Sequence, residues 1–155
     1  MNLIVSLKNN GTTIHNLKHR YVMLLLPAAA GFVLIFVLRS FIAVELTVSQ
    51  VPGAFSAAVF VVSVCTAVAM PVLYRTLFAN RVRRQTHTSE ADWLKFERSL
   101  LYIAMTTPYV GLMAQIMELQ HFHLAGTMIM TLYAVYYYYP SKKRIDYERR
   151  MFRVQ

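Results

Sequence analysis

The densest group of chemically capable side chains in this sequence is Glu118, His121 and His123. Glu118 and His121 stand three residues apart, so a helical turn places them on one face. Two imidazoles and a carboxylate form a ligand set for a first-row metal such as zinc. A carboxylate at a membrane boundary also relays protons. The trio is therefore read as a candidate metal or proton site. A second pair, His15 and His19, has the i,i+4 spacing that binds a metal or brackets a haem edge. A membrane haem draws its axial histidines from two helices, and no histidine lies inside an apolar run of this chain, so no haem is expected. His15 and His19 read as interfacial polar residues beside Lys18 and Arg20.

The remaining inventory is sparse. The single cysteine, Cys65, has no intrachain disulfide partner, which sets aside thiol oxidases built on a cysteine pair. It is expected to pack as a small hydrophobe. Ser56, Ser63, Thr106 and Thr107 have no histidine or carboxylate near them in sequence, and no Gly-rich phosphate loop occurs. Gln115 is the one amide inside an apolar run, and no carboxylate lies deep in one, unlike in exporters that depend on an embedded acid. No catalytic set emerges and no cofactor is strongly implied.

These side chains must be positioned by apolar elements. Hydrophobic residues make up 57% of the 155 residues, above the ~45–50% usual in soluble domains. A soluble core of this size cannot hide that much apolar surface, whereas lipid solvates it. Four long apolar runs follow one another, read as spans at about 21–38, 51–73, 99–118 and 124–139. At a rise of 1.5 Å per residue, a run of eighteen reaches about 27 Å, close to a bilayer core of roughly 30 Å. The fourth run is shorter and ends in Tyr136-Tyr137-Tyr138-Tyr139, aromatic rings suited to the headgroup boundary. Length and the absence of period-2 alternation argue against strands. The first run exceeds the ~7–15 apolar residues of a cleaved leader and is followed at once by Arg39, so it is read as an uncleaved span. The expected fold is all-α: one membrane domain over residues 1–155, a bundle of four transmembrane helices with a basic tail at 140–155. Helices two and three extend beyond the membrane.

Charge sets the orientation. The sixteen Lys and Arg residues distribute as 3, 1, 6, 0 and 6 over the segments outside the spans, so fifteen fall on one side and Arg39 alone on the other. Basic residues stay cytoplasmic, which places both termini and the central loop inside. The net charge of +9 therefore addresses anionic headgroups and not nucleic acid. Arg81, Arg83, Arg84, Trp93, Lys142, Lys143, Arg144, Arg149 and Arg150 are expected to face lipid or a partner.

Local signals refine the elements. Asn9-Asn10-Gly11 reads as a turn before helix one, with Thr12 or Thr13 as cap. The segment 49–53 closes the first hairpin with Pro52-Gly53, and the tight turn at 120–123 makes helices three and four antiparallel neighbours. Ser89 with Asp92 forms a capping-box pattern, after which Trp93, Phe96, Leu100 and Leu101 share a face. Pro27, Pro71 and Pro108 fall inside spans as static kinks. Small residues at Ala28–Gly31, Gly53/Ala57, Ala104/Gly111 and Gly126 mark close helix packing, within the chain or against a partner. The expected role is a non-catalytic accessory, scaffolding or assembly subunit of a larger membrane complex, in contact with other membrane subunits or with copies of itself. The alternatives are a small oligomeric transporter or channel using Glu118, His121 and His123, and a membrane redox or metal-binding protein. A bacterial inner membrane is the expected home, with the mitochondrial inner membrane as the alternative.

Overall fold

In the computed structural model, backbone is described for residues 2–42, 51–83 and 88–153, and side chains for 14–41, 51–83 and 88–153. The described chain is all-helical, without a β-strand. Helix α1 spans Asn2–Ile42, α2 Gly53–Val64, α3 Met70–Val82, α4 Glu90–Ile116, α5 His121–Tyr137 and α6 Lys142–Met151. Three stretches are long and apolar enough to cross a membrane: Ile14–Phe41, Gly53–Val82 and Glu90–Ile116.

Helix α1 continues through Asn9-Asn10-Gly11, where the sequence signals a turn. A glycine costs a helix about 1 kcal/mol relative to alanine, too little to outweigh an otherwise unbroken hydrogen-bond ladder. Helices α2 and α3 form one rod interrupted by a π-helical turn at Cys65–Ala69. Pro71 contributes to it, having no N–H to give the Ala67 carbonyl and a ring that would crowd that carbonyl in a regular helix. The wider turn relieves the clash. Within it the Met70 amide reaches back five residues to the Cys65 carbonyl. The Thr66 hydroxyl donates to the carbonyls of Val62 and Ser63 at 3.0 and 3.1 Å and accepts from Thr107 of α4 at 3.1 Å.

Helix α4 is the axis of the bundle. It packs against α1, the α2–α3 rod and α5. Trp93, Phe96, Leu100, Ala104, Met105, Gly111 and Ala114 run along it as a buried stripe at helical spacing. Two glycines allow close approaches between helices of the bundle. A methyl group at Gly111 would overlap the Thr131 hydroxyl of α5, and one at Gly126 of α5 would lie 2.6 Å from the Phe60 ring of α2. Both positions belong to the small-residue set marked by the sequence, and both serve packing within the chain. Helix α1 is peripheral: Leu17, Tyr21 and Ala28 are buried, while Leu26, Leu34, Phe36 and Phe41 stand exposed.

The two ends of the bundle differ in chemistry. One end gathers Arg39, Glu118, Gln120 and the start of α5. The other gathers Lys18, Arg20, Arg75, Arg98 and the whole of α6. The tight link between α4 and α5 is closed by Glu118 in a left-handed conformation, φ 48°, a position usually given to Gly or Asn. Ser89 caps α4 with its backbone carbonyl, which accepts from Asp92 and Trp93, and not with its hydroxyl.

Candidate functional site

The sequence describes the tail after residue 140 as a basic ribbon for a membrane surface or a partner. In the structure it folds back as α6 and plugs the basic end of the bundle. Ser141 caps the helix, its hydroxyl accepting from the Arg144 amide at 3.2 Å. Ile145, Glu148 and Phe152 follow at i+3 and i+4 spacing and form the buried face. The Phe152 ring meets Phe78 and Phe96 edge-on, while Phe96 lies stacked against Phe78 and Tyr74. Thr88 fastens the end of the tail: its hydroxyl donates to the Phe152 carbonyl at 2.7 Å and its amide to the Arg153 carbonyl at 3.3 Å.

Beneath α6 sits a four-membered ionic hub drawn from three helices. Glu97 of α4 is 3% exposed and Glu148 of α6 is 0% exposed. Arg144 bridges them, its Nε donating to Glu148 at 3.1 Å and its NH2 to Glu97 at 3.4 Å. Arg75 of α3 donates to the same Glu148 oxygen. Arg144 also reaches the Tyr137 carbonyl and lies over the Tyr138 ring, 5.5 Å from its centre. Burial presses the Arg144 guanidinium below its ordinary range, and the neighbouring Glu97 carboxylate pulls it back up. Two carboxylates and two guanidiniums make the hub neutral overall. Glu97 Oε1 and Glu148 Oε2 accept no hydrogen bond among the described residues. The hub holds no serine, threonine, cysteine or lysine side chain. It can lock α6 to α3 and α4, because breaking a buried ionic set exposes an uncompensated charge.

Three residues expected to face lipid or a partner, Trp93, Arg144 and Arg149, lie inside this assembly. Trp93 is 0% exposed and forms part of the α4 core, covered by the Arg149 guanidinium 5.2 Å from its ring centre. Arg144 is the hub itself, with its side chain 18% exposed. The correction has one cause: α6 supplies the cover that lipid or a partner was expected to supply. Arg149 also pairs with Glu90 at 3.1 Å. Arg81, Arg83, Lys142, Lys143 and Arg150 are exposed. Arg84 lies outside the described residues.

At the opposite end, the structure does not assemble Glu118, His121 and His123 into a ligand set. Among the described residues no group of three His, Cys, Asp or Glu side chains is placed to hold a metal. Glu118 pairs with Arg39 at 2.9 Å, both about 40% exposed (37% and 41%). His121 lines an open cleft with Arg39, Glu118 and Gln120. His123 turns the other way, its ring against Phe60 and Phe122. His15 and His19 are exposed on α1, and Cys65 is exposed on the π-helical turn. Ser56 and Ser63 are buried, and their hydroxyls have no hydrogen-bond partner among the described residues.

Compared with known proteins, the chain matches no family model, no curated protein and no solved structure.

Proposed function

We propose that this chain is a four-span membrane protein, N-in and C-in, that serves as a non-catalytic accessory, scaffolding or assembly subunit of a larger membrane complex. The observation that carries the proposal is the state of α1. It is the most apolar span, yet it packs mainly along α4 and leaves Met23, Leu26, Leu34, Phe36 and Phe41 uncovered. A face of that kind is complete only against lipid or another membrane helix. The described acidic groups are engaged in structure: of the six described carboxylates, Glu90, Glu97, Glu118 and Glu148 are each paired with an arginine. That leaves little for acid–base chemistry and supports a structural role.

The fourth span in this reading is α5. Its seventeen residues reach about 26 Å, and Tyr136 to Tyr139 extend it to the headgroups. The orientation rests on fifteen basic residues against one. The exposed Lys142, Lys143, Arg81, Arg83 and Arg150 then meet anionic headgroups or a partner's acidic surface, and nucleic acid is not a partner. The membrane is a bacterial inner membrane in this reading. Glu118 satisfied by Arg39 and His123 packed among rings give the transport and metal readings no support beyond the sequence.

The test is a photo-crosslinking amino acid at Phe36 or Leu34, activated in native membranes, followed by native electrophoresis in mild detergent. The expected result is a discrete crosslinked species of constant mass. A chain that migrates only as a monomer, with lipid as the sole adduct, would count against the role.

A further inference from the structure

Between α1 and α4, near the basic end, lies a cleft that the ionic hub does not touch. Its polar walls are Asn16, His19 and Arg20 of α1 with Arg98 and Tyr102 of α4. Met23 and Leu24 form its apolar floor on the α1 side. Helical spacing explains the grouping: Asn16, Arg20 and Leu24 repeat at i+4, as do Arg98 and Tyr102. The cleft holds about 530 Å³ and has no carboxylate in its lining.

Neither arginine in it forms an ion pair among the described residues. Arg20 donates to the Tyr102 hydroxyl at 2.9 Å, and no acid faces it among the described residues. The Nε of Arg98 is buried and has no hydrogen-bond partner among the described residues. Two guanidinium charges lining one cleft with no acid beside them leave it open to an anionic oxygen. Arg20 immediately precedes the first apolar run and Arg98 the third. Both therefore sit at one depth, the boundary between headgroups and acyl chains. Below them the exposed Met23 and Leu26 continue as an apolar surface along α1.

We infer that this cleft binds the phosphate of an anionic membrane phospholipid. Arg20 and Arg98 take the phosphate oxygens, Tyr102 and Asn16 supply neutral hydrogen bonds, and the acyl chains lie along α1 past Met23 and Leu26. Basic pockets between membrane helices on the cytoplasmic side recognise phospholipid headgroups in this manner. The inference rests on the membrane reading of the bundle and names a site where that reading has only a general surface.

The test uses the full chain in mild detergent. Bound lipid is counted by native mass spectrometry, and the thermal midpoint is followed on adding phosphatidylglycerol, phosphatidylcholine or inorganic phosphate. Phosphatidylglycerol should be retained and should raise the midpoint, whereas phosphatidylcholine and free phosphate should do neither. Arg20→Gln and Arg98→Gln should each weaken the lipid about fivefold, and the pair roughly 25-fold, at the usual worth of one basic residue near a charged headgroup. Arg98→Lys, which keeps the charge, should retain most of the binding, and Arg150→Gln on the exposed surface should change nothing. Equal response to phosphatidylglycerol and phosphatidylcholine overturns the inference. So does lipid retention by a folded double variant at the wild-type level. Stabilisation by free phosphate as strong as by lipid assigns the cleft to a soluble anion and overturns it too. A chain that stays dispersed with no detergent sinks the membrane reading itself, a separate failure.

Discussion

Arg144→Met tests the ionic hub most directly, because one side chain holds two buried carboxylates. Methionine keeps the unbranched apolar stem of the side chain and removes the guanidinium with its charge and donors. Glu148 would keep Arg75, but Glu97, at 3% exposure, would lose its only ion-pair partner among the described residues. Leaving a buried charge unpaired costs about 3–5 kcal/mol. For a chain of this length that corresponds to a fall of roughly 6–20 °C in the thermal midpoint. Glu97→Gln should cost less, about 1–2 kcal/mol, because Arg144 retains Glu148 and the lost bond is long at 3.4 Å. Combining the two should cost less than their sum, with a coupling of about 1–3 kcal/mol. The assay is thermal unfolding in detergent by circular dichroism, paired with emission of Trp93, the one tryptophan in the sequence. Trp93 lies directly under Arg149 of α6, so release of that helix would wet the indole and shift its emission to the red. The reasoning is refuted if Arg144→Met unfolds within about 1 kcal/mol of wild type and leaves Trp93 emission unchanged. Strict additivity of the two substitutions would refute it as well.

The other expectations follow from the same packing. Gly126→Val drives a branched side chain into the Phe60 ring and Gly111→Val into Thr131, so each should cost at least ~1–3 kcal/mol, whereas Gly53→Ala meets only the flexible end of Gln120 and should be mild; thermal scans rank the three. Trp93→Ala should cost about 3–5 kcal/mol as a large deletion from the core, while Tyr136→Ala, at a ring 86% exposed, should leave the midpoint nearly unchanged. Breaking the half-exposed Arg39–Glu118 pair with Glu118→Gln should cost no more than about 1 kcal/mol. Flux of a small ion in proteoliposomes that depended on Glu118 would instead favour the transporter reading.

Much of the helical framework was legible in the sequence because membrane solvation writes it in long, uncharged runs. Trp93, Phe96, Leu100 and Leu101 share a face by spacing, and all four are buried. Gly111 and Gly126 were marked as packing points because only missing side chains let helices approach closely, and they meet Thr131 and Phe60. The ionic hub was not legible. Its pairs between helices join residues 47 and 73 positions apart, and the local i,i+4 spacing of Arg144 and Glu148 is shared by Lys142 and Asp146. The amphipathic spacing of Ile145, Glu148 and Phe152 was the available signal, but a glutamate on the buried face disguises it. The π-helical turn followed from Pro71 only in part: proline signals a disturbed ladder, while the form of the disturbance depends on Thr66 and its partner Thr107 on another helix. The outer Glu118, His121 and His123 misled for the opposite reason. They are close in sequence, but the left-handed turn at Glu118 sends its carboxylate to Arg39 and His123 into the bundle.

Single-cysteine labelling in intact spheroplasts puts the whole scheme to trial. In a Cys65→Ala background, Phe122→Cys and Tyr147→Cys place one thiol at each end of the bundle, both at exposed positions. A membrane-impermeant maleimide should label the first at once and the second only after the membrane is opened. Labelling of Tyr147→Cys in sealed cells, or equal labelling of both, would contradict a lipid-solvated bundle with its basic end inside.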